Sequence, residues 1–192
     1  MMSRFIYVFC ALLAAWLMQS TALWAQEKRF VLQARPQFKV LGTSTLHDWH
    51  METSVAEGFL ECLANEGEYP SIKEARVTLK AKDLKSGKKG MDKNAYKALY
   101  AEKYPIIEFR LQNLSIDEPG RGKALGTLFL AGTSREVSFT VELQYTEGIV
   151  EVTGRTAFRL TDFNIEPPTA LMGTIKTGDD VTIEFNTTFK TL

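Results

Sequence analysis

The side chains in this sequence best suited to chemistry are His47, Asp48, His50 and Cys62. His47 and Asp48 are adjacent and could act in a hydrolase or an isomerase as a general base and its partner. His47 and His50 would not bind one metal ion together, because strand residues three positions apart point to opposite faces. Cys62 lacks a histidine at a catalytic spacing and lies in a strand-like run typical of a buried thiol. We therefore predict no catalytic residue, no metal site and a structural role for His47 and Asp48.

The composition argues against several other classes of function. The chain has 192 residues and a formal net charge of zero. A near-neutral chain without basic clusters argues against binding to nucleic acid or to an anionic membrane surface, and the lysines between positions 80 and 93 are typical of a solvated loop. The sequence also has no glycine-rich phosphate loop, no Gly-x-Ser-x-Gly elbow and no Cys-x-x-Cys pair. We therefore predict no cofactor and no nucleic-acid partner.

The N-terminal segment has the pattern of a cleaved signal peptide. Arg4 precedes an apolar run from Phe5 to Met18, and Ala25 ends a stretch that offers small residues for cleavage. The apolar run is shorter than the roughly 20 residues of a membrane span. We therefore predict a signal peptide over 1–25, one domain over 26–192, a periplasmic or secreted location, and no stable membrane insertion after cleavage.

The mature chain is dominated by the alternating pattern of β-strands. Apolar residues alternate with polar ones through Leu125–Tyr145, with a turn predicted at Gly132–Arg135, so one face of this hairpin is apolar. Similar patterns predict about eight to ten strands in all. Pro36 predicts an edge or a bend between two early strands, and a change of phase at Asn113 predicts a bulge. A further bend is expected near Glu57.

Two segments depart from the strand pattern. Met91, Ala95 and Leu99 lie at helical spacing, which predicts a short helix that begins near Asp92 and lies across the wall or mouth of the fold. The irregular segment 166–173 carries Leu171 and Met172, which we expect to cover an opening. Antiparallel strands with one apolar face can form a sandwich or a closed barrel, and alternation alone does not distinguish them.

Three segments resemble, in order, the motifs of the YceI-like family of periplasmic lipid-binding proteins. Tyr104–Phe109 is similar to the family's Tyr-Pro-x-Ile-x-Phe, Leu128–Val137 to its Leu-x-Leu-x-Gly-x-Thr-Lys/Arg-x-Val, and Asp162–Ile165 to its Asp-Phe-Gly-Ile. Two positions depart from the family pattern. Asn164 replaces a glycine, although asparagine tolerates the left-handed conformation. Leu41–Trp49, which ends in the cluster His47-Asp48-Trp49, stands where the family commonly has His-Ser-x-Val-x-Phe.

The resemblance implies an all-β fold: an antiparallel, lipocalin-like β-barrel of about eight strands with one short helix, which binds an isoprenoid-type lipid such as a quinone or a polyprenyl chain. It implies binding, transport or storage of the lipid without catalysis. A homodimer is compatible with such a domain. On the apolar faces we predict that the lipid-lining residues are Trp49, Phe109, Leu111, Leu128, Leu130, Phe139, Val141, Val152, Phe158, Phe163 and Phe185.

A second hypothesis assigns the same side chains to a filled barrel. Inward side chains that met at the centre would leave no room for a guest, and the domain would then act as a structural or protein-interaction module in the cell envelope. Its contact surface would be the loops 85–93 and 166–173. The two hypotheses make opposite predictions about the barrel interior.

Overall fold

The computed structural model describes residues 27–63 and 71–191, so the predicted signal peptide lies outside the described residues. One helix, α1, spans Lys89–Ala98. No helix in the described part of the chain is both long and apolar enough to cross a membrane. The strands are β1 (Glu27–Leu32), β2 (Gln37–Ser44), β3 (Trp49–Thr53), β4 (Glu57–Leu63), β5 (Ser71–Lys80), β6 (Ile106–Glu118), β7 (Arg121–Leu130), β8 (Thr133–Thr146), β9 (Ile149–Arg159), β10 (Thr169–Ala170) and β11 (Ile175–Thr191).

Eight of these strands close into an antiparallel β-barrel, as the alternating sequence and the family resemblance together predicted. The order around the barrel is β1, β4, β5, β6, β7, β8, β9 and β11, and β11 pairs with β1 to close it. Closure pairs the edges that an open sheet would expose. The predicted bulge is confirmed, because the pairing of β6 with β7 shifts register between Leu111 and Asn113.

One side of the barrel wall is interrupted halfway along its length. β1 and β2 pair in succession along β11. Residues 33–36, which lie between them and include Pro36, are not in the strand conformation. β3 and β4 follow each other in the same way, with a break at residues 54–56. The bend predicted at Pro36 is confirmed, whereas the one predicted near Glu57 falls three residues earlier, because β4 already begins at Glu57.

The pairing gives the barrel two distinct ends. At the end that we call the helix end, β5 ends, α1 follows and β6 begins. At the other, the terminal end, β1 begins and β11 ends. α1 starts at Lys89, so Asp92 lies in its first turn instead of capping it, and its carboxylate accepts hydrogen bonds from the backbone N–H (2.8 Å) and the hydroxyl (2.6 Å) of Ser86. These bonds outweigh desolvation and lower the pKa of Asp92.

The β7–β8 turn is tighter than the sequence pattern indicated. It consists of Ala131 and Gly132, which both have positive φ, and β8 has begun at Thr133. Positive φ at both central residues is typical of the turns that match the twist of a hairpin. The turn predicted at Gly132–Arg135 was therefore placed too late, since Ser134 and Arg135 already pair with β7.

The three segments that resemble family motifs meet at the helix end. The ring of Tyr104 lies over Gly132, where an added Cβ would be 2.5 Å from Cζ of the ring. Arg135 Nε donates to the carbonyl of Asp162 at 2.7 Å, and Asn164 Nδ2 donates to the hydroxyl of Thr133 at 3.1 Å. Asn164 has a φ of 57°, so it adopts the left-handed conformation that this position requires.

The segment after Asn164 behaves differently from our expectation. Leu171 and Met172 were expected to cover an opening, but Leu171 is 71% exposed and Met172 is fully exposed. Both residues have positive φ in a tight turn, which directs them away from the barrel. α1 takes the covering role instead, because Ala95, Ala98 and Leu99 contribute to the lining of the space at the helix end.

Candidate functional site

The barrel encloses an apolar cavity of about 170 Å³. Strands around the whole barrel contribute to its lining, from Leu60 on β4 to Phe189 on β11. Apart from Thr156 and Thr187, the lining residues are all apolar. The hydroxyl of Thr187 is turned into the wall, where it donates to the carbonyl of Val152 at 2.9 Å. This cavity, which we call the larger cavity to distinguish it from the one at the helix end, therefore offers a guest almost no hydrogen-bonding groups.

A connected group of aromatic rings borders the larger cavity. The ring centroids of Phe109 and Phe139 are 5.4 Å apart, and those of Phe139 and Phe185 are 5.8 Å apart in an edge-to-face arrangement. Phe38 continues the group, with its centroid 6.3 Å from that of Phe185. Such contacts are favourable beyond the area they bury, which holds the rings in defined positions around the empty space.

Glycines in the wall explain why these rings do not fill the centre. Gly126 and Gly154 occupy inward positions on β7 and β9. A Cβ at Gly126 would lie 2.5 Å from Cζ of Phe109, and one at Gly154 would lie 2.5 Å from Cζ of Phe185. Each ring therefore lies against bare backbone. Because the end of each ring occupies the space that a side chain would take at these two positions, the rings stay close to the wall and the middle of the barrel remains open.

A smaller apolar cavity of about 100 Å³ lies at the helix end. Its lining combines Trp49, Leu130 and Phe158 from the strands with Ala98 and Leu99 from α1 and the turn after it. The indole of Trp49 packs against Gly42, and its Nε1–H donates to the carbonyl of Thr43 at 2.9 Å. The polar edge of this ring is therefore satisfied by the wall, and its apolar face borders the cavity.

The two cavities adjoin each other. They share the lining residues Val40, Leu84, Ile107, Leu128 and Ile183, which we call the waist. An apolar cavity of roughly 150 Å³ holds a guest the size of benzene. Each cavity alone therefore fits a short apolar group, and a longer chain would occupy both only if the waist side chains moved apart.

A polar cleft opens at the interruption of the barrel wall. We call it the wall cleft, and its lining includes Gln37, Ser54, Val55 and Asn186, together with the two rings Phe38 and Phe185. Phe38 and Phe185 also line the larger cavity. Only the thickness of these rings thus separates the cleft from the cavity at this point.

The structure brings together almost all of the predicted lining residues. Phe109, Leu111, Leu128, Phe139, Val141, Val152 and Phe185 border the larger cavity, and Trp49, Leu128, Leu130 and Phe158 border the smaller one. Phe163 borders neither: it is 1% exposed and packs edge-to-face on Phe158, with centroids 4.9 Å apart. That these residues contact a lipid stays a prediction.

Sequence reasoning missed several residues of the same lining. Phe38 and Val40 alternate along β2, and Ile183 pairs with Val40 on the neighbouring strand β11. The alternation of Phe38 and Val40 is visible in the sequence. Because Pro36 next to them predicts a bend or an edge, however, it does not indicate that the two side chains face the interior. Leu84 is the waist residue that strand periodicity could not reveal, since it lies outside any strand and reaches the cavity only because the chain turns back after β5.

The residues first considered for chemistry lie apart from this apolar space. Ser44 Oγ donates to the carbonyl of His47 at 2.7 Å, and Nδ1 of His47 lies 2.7 Å from the carbonyl oxygen of Asp48. The local hydrogen-bonded structure predicted for the pair is confirmed, and its purely structural role stays a prediction. Cys62 is buried as predicted, and burial raises the pKa of its thiol to about 11.

The most buried carboxylate lies on the outer side of the wall. Glu108 accepts a hydrogen bond of 2.6 Å from Nε of Arg76 and another from Nε of Arg110. Burial alone would raise the pKa of Glu108, but the two guanidinium groups outweigh it and hold that pKa below its ordinary value. The charge is thus neutralised on the outside, leaving the cavity apolar.

Comparison with known proteins identifies related folds. The YceI-like domain model matches residues 33–189. BcnA of Burkholderia cenocepacia has a similar structure, with 13% sequence identity, a TM-score of 0.66 and coverage of 80% of this chain and 95% of that one. No curated protein sequence is significantly similar to the chain.

Two further solved structures are similar. A polyisoprenoid binding domain from Saccharophagus degradans, implicated in plant cell wall breakdown, has 13% identity and a TM-score of 0.64, with coverage of 85% of this chain and 98% of that one. A Campylobacter jejuni YCEI protein has 19% identity and a TM-score of 0.52, with coverage of 64% and 74%. At these identities the likeness shows the fold.

Proposed function

The chain belongs to the YceI-like family, and from that membership we propose that it binds an apolar isoprenoid-type lipid inside the barrel. One observation carries the proposal: two adjoining apolar cavities occupy the centre of a closed barrel. The similar domain from Saccharophagus degradans, which is described as polyisoprenoid binding, supports the class of ligand. The function is binding, transport or storage of the lipid, without catalysis, in the periplasm or after secretion.

The energetics favour a long guest over a short one. Apolar burial stabilises by about 25 cal/mol per Å², so a chain that buries roughly 400 Å² gains about 10 kcal/mol. Association costs roughly 4–15 kcal/mol, so a benzene-sized guest, which buries less apolar area, binds only weakly. An isoprenoid chain long enough to pass the waist and occupy both cavities reaches the necessary area. The charged anchor that a short ligand would need is therefore unnecessary.

The test is to identify lipid in the purified protein. We expect mass spectrometry of an organic extract to detect an isoprenoid lipid, and native mass spectrometry to report its stoichiometry. Phe139→Asp should abolish the bound lipid, because a carboxylate in the larger cavity would have to be buried without a partner. Ser138→Asp is the matched control, since Ser138 is the exposed neighbour on the same strand.

The result that contradicts the proposal is equally direct. A wild-type protein that extracts clean, and that also takes up no geranylgeraniol when the two are mixed, would not be a lipid carrier. Retention of lipid by a Phe139→Asp protein with the wild-type circular dichroism spectrum would place the lipid outside the barrel.

A second candidate function is favoured by the exposed turn at Leu171 and Met172. Large apolar side chains that are exposed on a loop are typical of interaction surfaces. In this alternative the domain is a protein-interaction module of the cell envelope. The double variant Leu171→Ser, Met172→Ser would then no longer bind its partner protein. If the domain instead binds lipid inside the barrel, the same variant would retain its lipid.

A further inference from the structure

We propose that the wall cleft is the mouth of the larger cavity: the apolar chain of a guest passes between Phe38 and Phe185, and its polar end stays in the cleft. The inference rests on the proposed function and adds to it a route and a second binding region. The decisive juxtaposition is that these two rings line both the cleft and the cavity.

The ends of the barrel offer no comparable passage through the described residues. At the terminal end the interior is occupied by Phe30, Val150 and Phe189, which are at most 2% exposed. At the helix end, α1 lies beside the smaller cavity, and Phe163 and Ile165 are 1% exposed. Opening either end requires displacement of several fully buried side chains and the loss of their close-packed contacts.

The wall cleft requires a much smaller movement. Phe38 and Phe185 are only partly buried, and their rings stack with an angle of 29° between their planes. Residues 33–36 and 54–56 are not in the strand conformation. Beside the cleft, the backbone hydrogen bonds outside the strand ladders join Gln33 to Thr188 and Glu52 to Lys85 and do not involve Phe38 or Phe185. Rotation of two side chains would thus connect the cleft with the cavity while the barrel stayed closed.

The charges of the cleft define the chemistry of the polar end. Lys39 and Lys85 supply two ammonium groups, and Glu52, Asp83 and Glu184 supply three carboxylates. Lys39 pairs across the sheet with both Glu184 and Glu52, so its charge is opposed on both sides. A diphosphate would meet more negative than positive groups. The cleft therefore fits an uncharged, hydrogen-bonding head group, such as a hydroxyl, a sugar or a carbonyl-bearing ring.

Blocking the cleft tests the route. Val55 is 60% exposed at the cleft, and Leu171 is 71% exposed at the helix end. Val55→Cys and Leu171→Cys can each be coupled to a bulky maleimide, because the native Cys62 thiol is buried and protected by its raised pKa. The probe is the uncharged fluorophore N-phenyl-1-naphthylamine, measured by stopped flow.

We expect the label at Val55 to slow uptake of the probe at least about tenfold and the label at Leu171 to leave it unchanged. Unchanged uptake with the label at Val55, or slowing only with the label at Leu171, would overturn the mouth while leaving lipid binding intact. If the unlabelled wild type bound neither this probe nor geranylgeraniol, the proposed function itself would fail, and the mouth with it.

Two further measurements test separately the two parts of the proposal: the passage between Phe38 and Phe185, and the binding of the polar head group in the wall cleft. Phe38→Ala should raise both the uptake and the release rates of the probe several-fold, whereas Phe129→Ala, which removes a ring that lies under the guanidinium of Arg110 and borders neither cavity, should leave both rates unchanged. Geranylgeraniol should bind about tenfold more tightly than geranylgeranyl diphosphate, and the Glu52→Gln, Glu184→Gln double variant should narrow that ratio. Tighter binding of the diphosphate by wild type would contradict the assigned head-group chemistry.

Discussion

The two halves of the barrel interior, one around the larger cavity and one around the smaller cavity, are packed in different ways. Around the larger cavity, Phe109 and Phe185 lie against glycines and leave the centre empty. Around the smaller cavity, Phe163 and Ile165 from the segment after β9 enter the barrel and are almost completely buried. One half is therefore built from strands that keep their rings at the wall, and the other from an irregular segment that fills the end.

This difference assigns different tasks to side chains of one type. A phenylalanine that borders empty space makes fewer van der Waals contacts than one that is fully surrounded. It therefore contributes less to the free energy of folding and can move more freely. A phenylalanine surrounded on all sides contributes its full burial to stability. The comparison teaches that fully buried side chains such as Phe163 support the fold, whereas the rings that border the cavities leave space for a guest.

Truncation of one ring in each half gives the largest expected contrast. Phe163→Ala should lower the free energy of unfolding by about 3–5 kcal/mol, because a fully buried ring is replaced by a cavity. Phe139→Ala should cost only about 1–2 kcal/mol, since its ring already borders a cavity. Urea denaturation of both variants measures the difference. Equal losses of stability would show that the two halves are packed alike.

A methyl group added at Gly154 tests why the larger cavity is open. Gly154→Ala should push the ring of Phe185 into the cavity, destabilise the protein by about 1–3 kcal/mol and weaken binding of geranylgeraniol. Gly90→Ala is the control: no atom lies within 4 Å of its added Cβ, and alanine should stabilise α1 by about 0.5–1 kcal/mol. Unchanged binding and stability of Gly154→Ala would show that the ring does not depend on bare backbone there.

The same comparison explains what the sequence could and could not predict. Period-two alternation identifies inward positions such as Leu128 and Phe139, because a strand has only two faces. It does not tell whether the inward side chains meet at the centre. That outcome depends on Gly126 and Gly154, whose effect appears only when the partner strand brings a ring over them.

Irregular segments were the least predictable part. Phe163 belongs to the motif at Asp162–Ile165, so the resemblance located it, but its position outside both cavities follows from the turn that Asn164 closes with a positive φ. The wall cleft was hidden for a similar reason. Pro36 predicted a bend, yet only the pairing of β11 with both β1 and β2 shows that the bend opens the wall beside Phe38.

The smallest predicted effects concern Cys62 near the terminal end of the barrel. The reactivity of its thiol shows whether a reagent can reach the interior from that end. Burial holds the pKa of its thiol at about 11, against an ordinary value of 9.0, and the thiolate is the reactive form. Native protein should therefore react very slowly with 5,5′-dithiobis(2-nitrobenzoate) at pH 8, while urea-unfolded protein should react rapidly. Exchange of a guest through the wall cleft should leave this protection intact, whereas exchange through the terminal end should abolish it.

The same thiol should also give a weak pH dependence of stability. Because the folded pKa is raised, the contribution of Cys62 is fully present below pH 9 and is lost as the pH rises toward 11, where the unfolded chain releases its proton first. The loss at pH 10 is on the order of 1 kcal/mol. Cys62→Ala removes this titration together with the packing of the buried sulfur, so the stability of wild type should fall relative to that of the variant between pH 8 and pH 10. A constant difference across that range would mean that the thiol is open to solvent, and the terminal end would then become a second candidate route to the cavity.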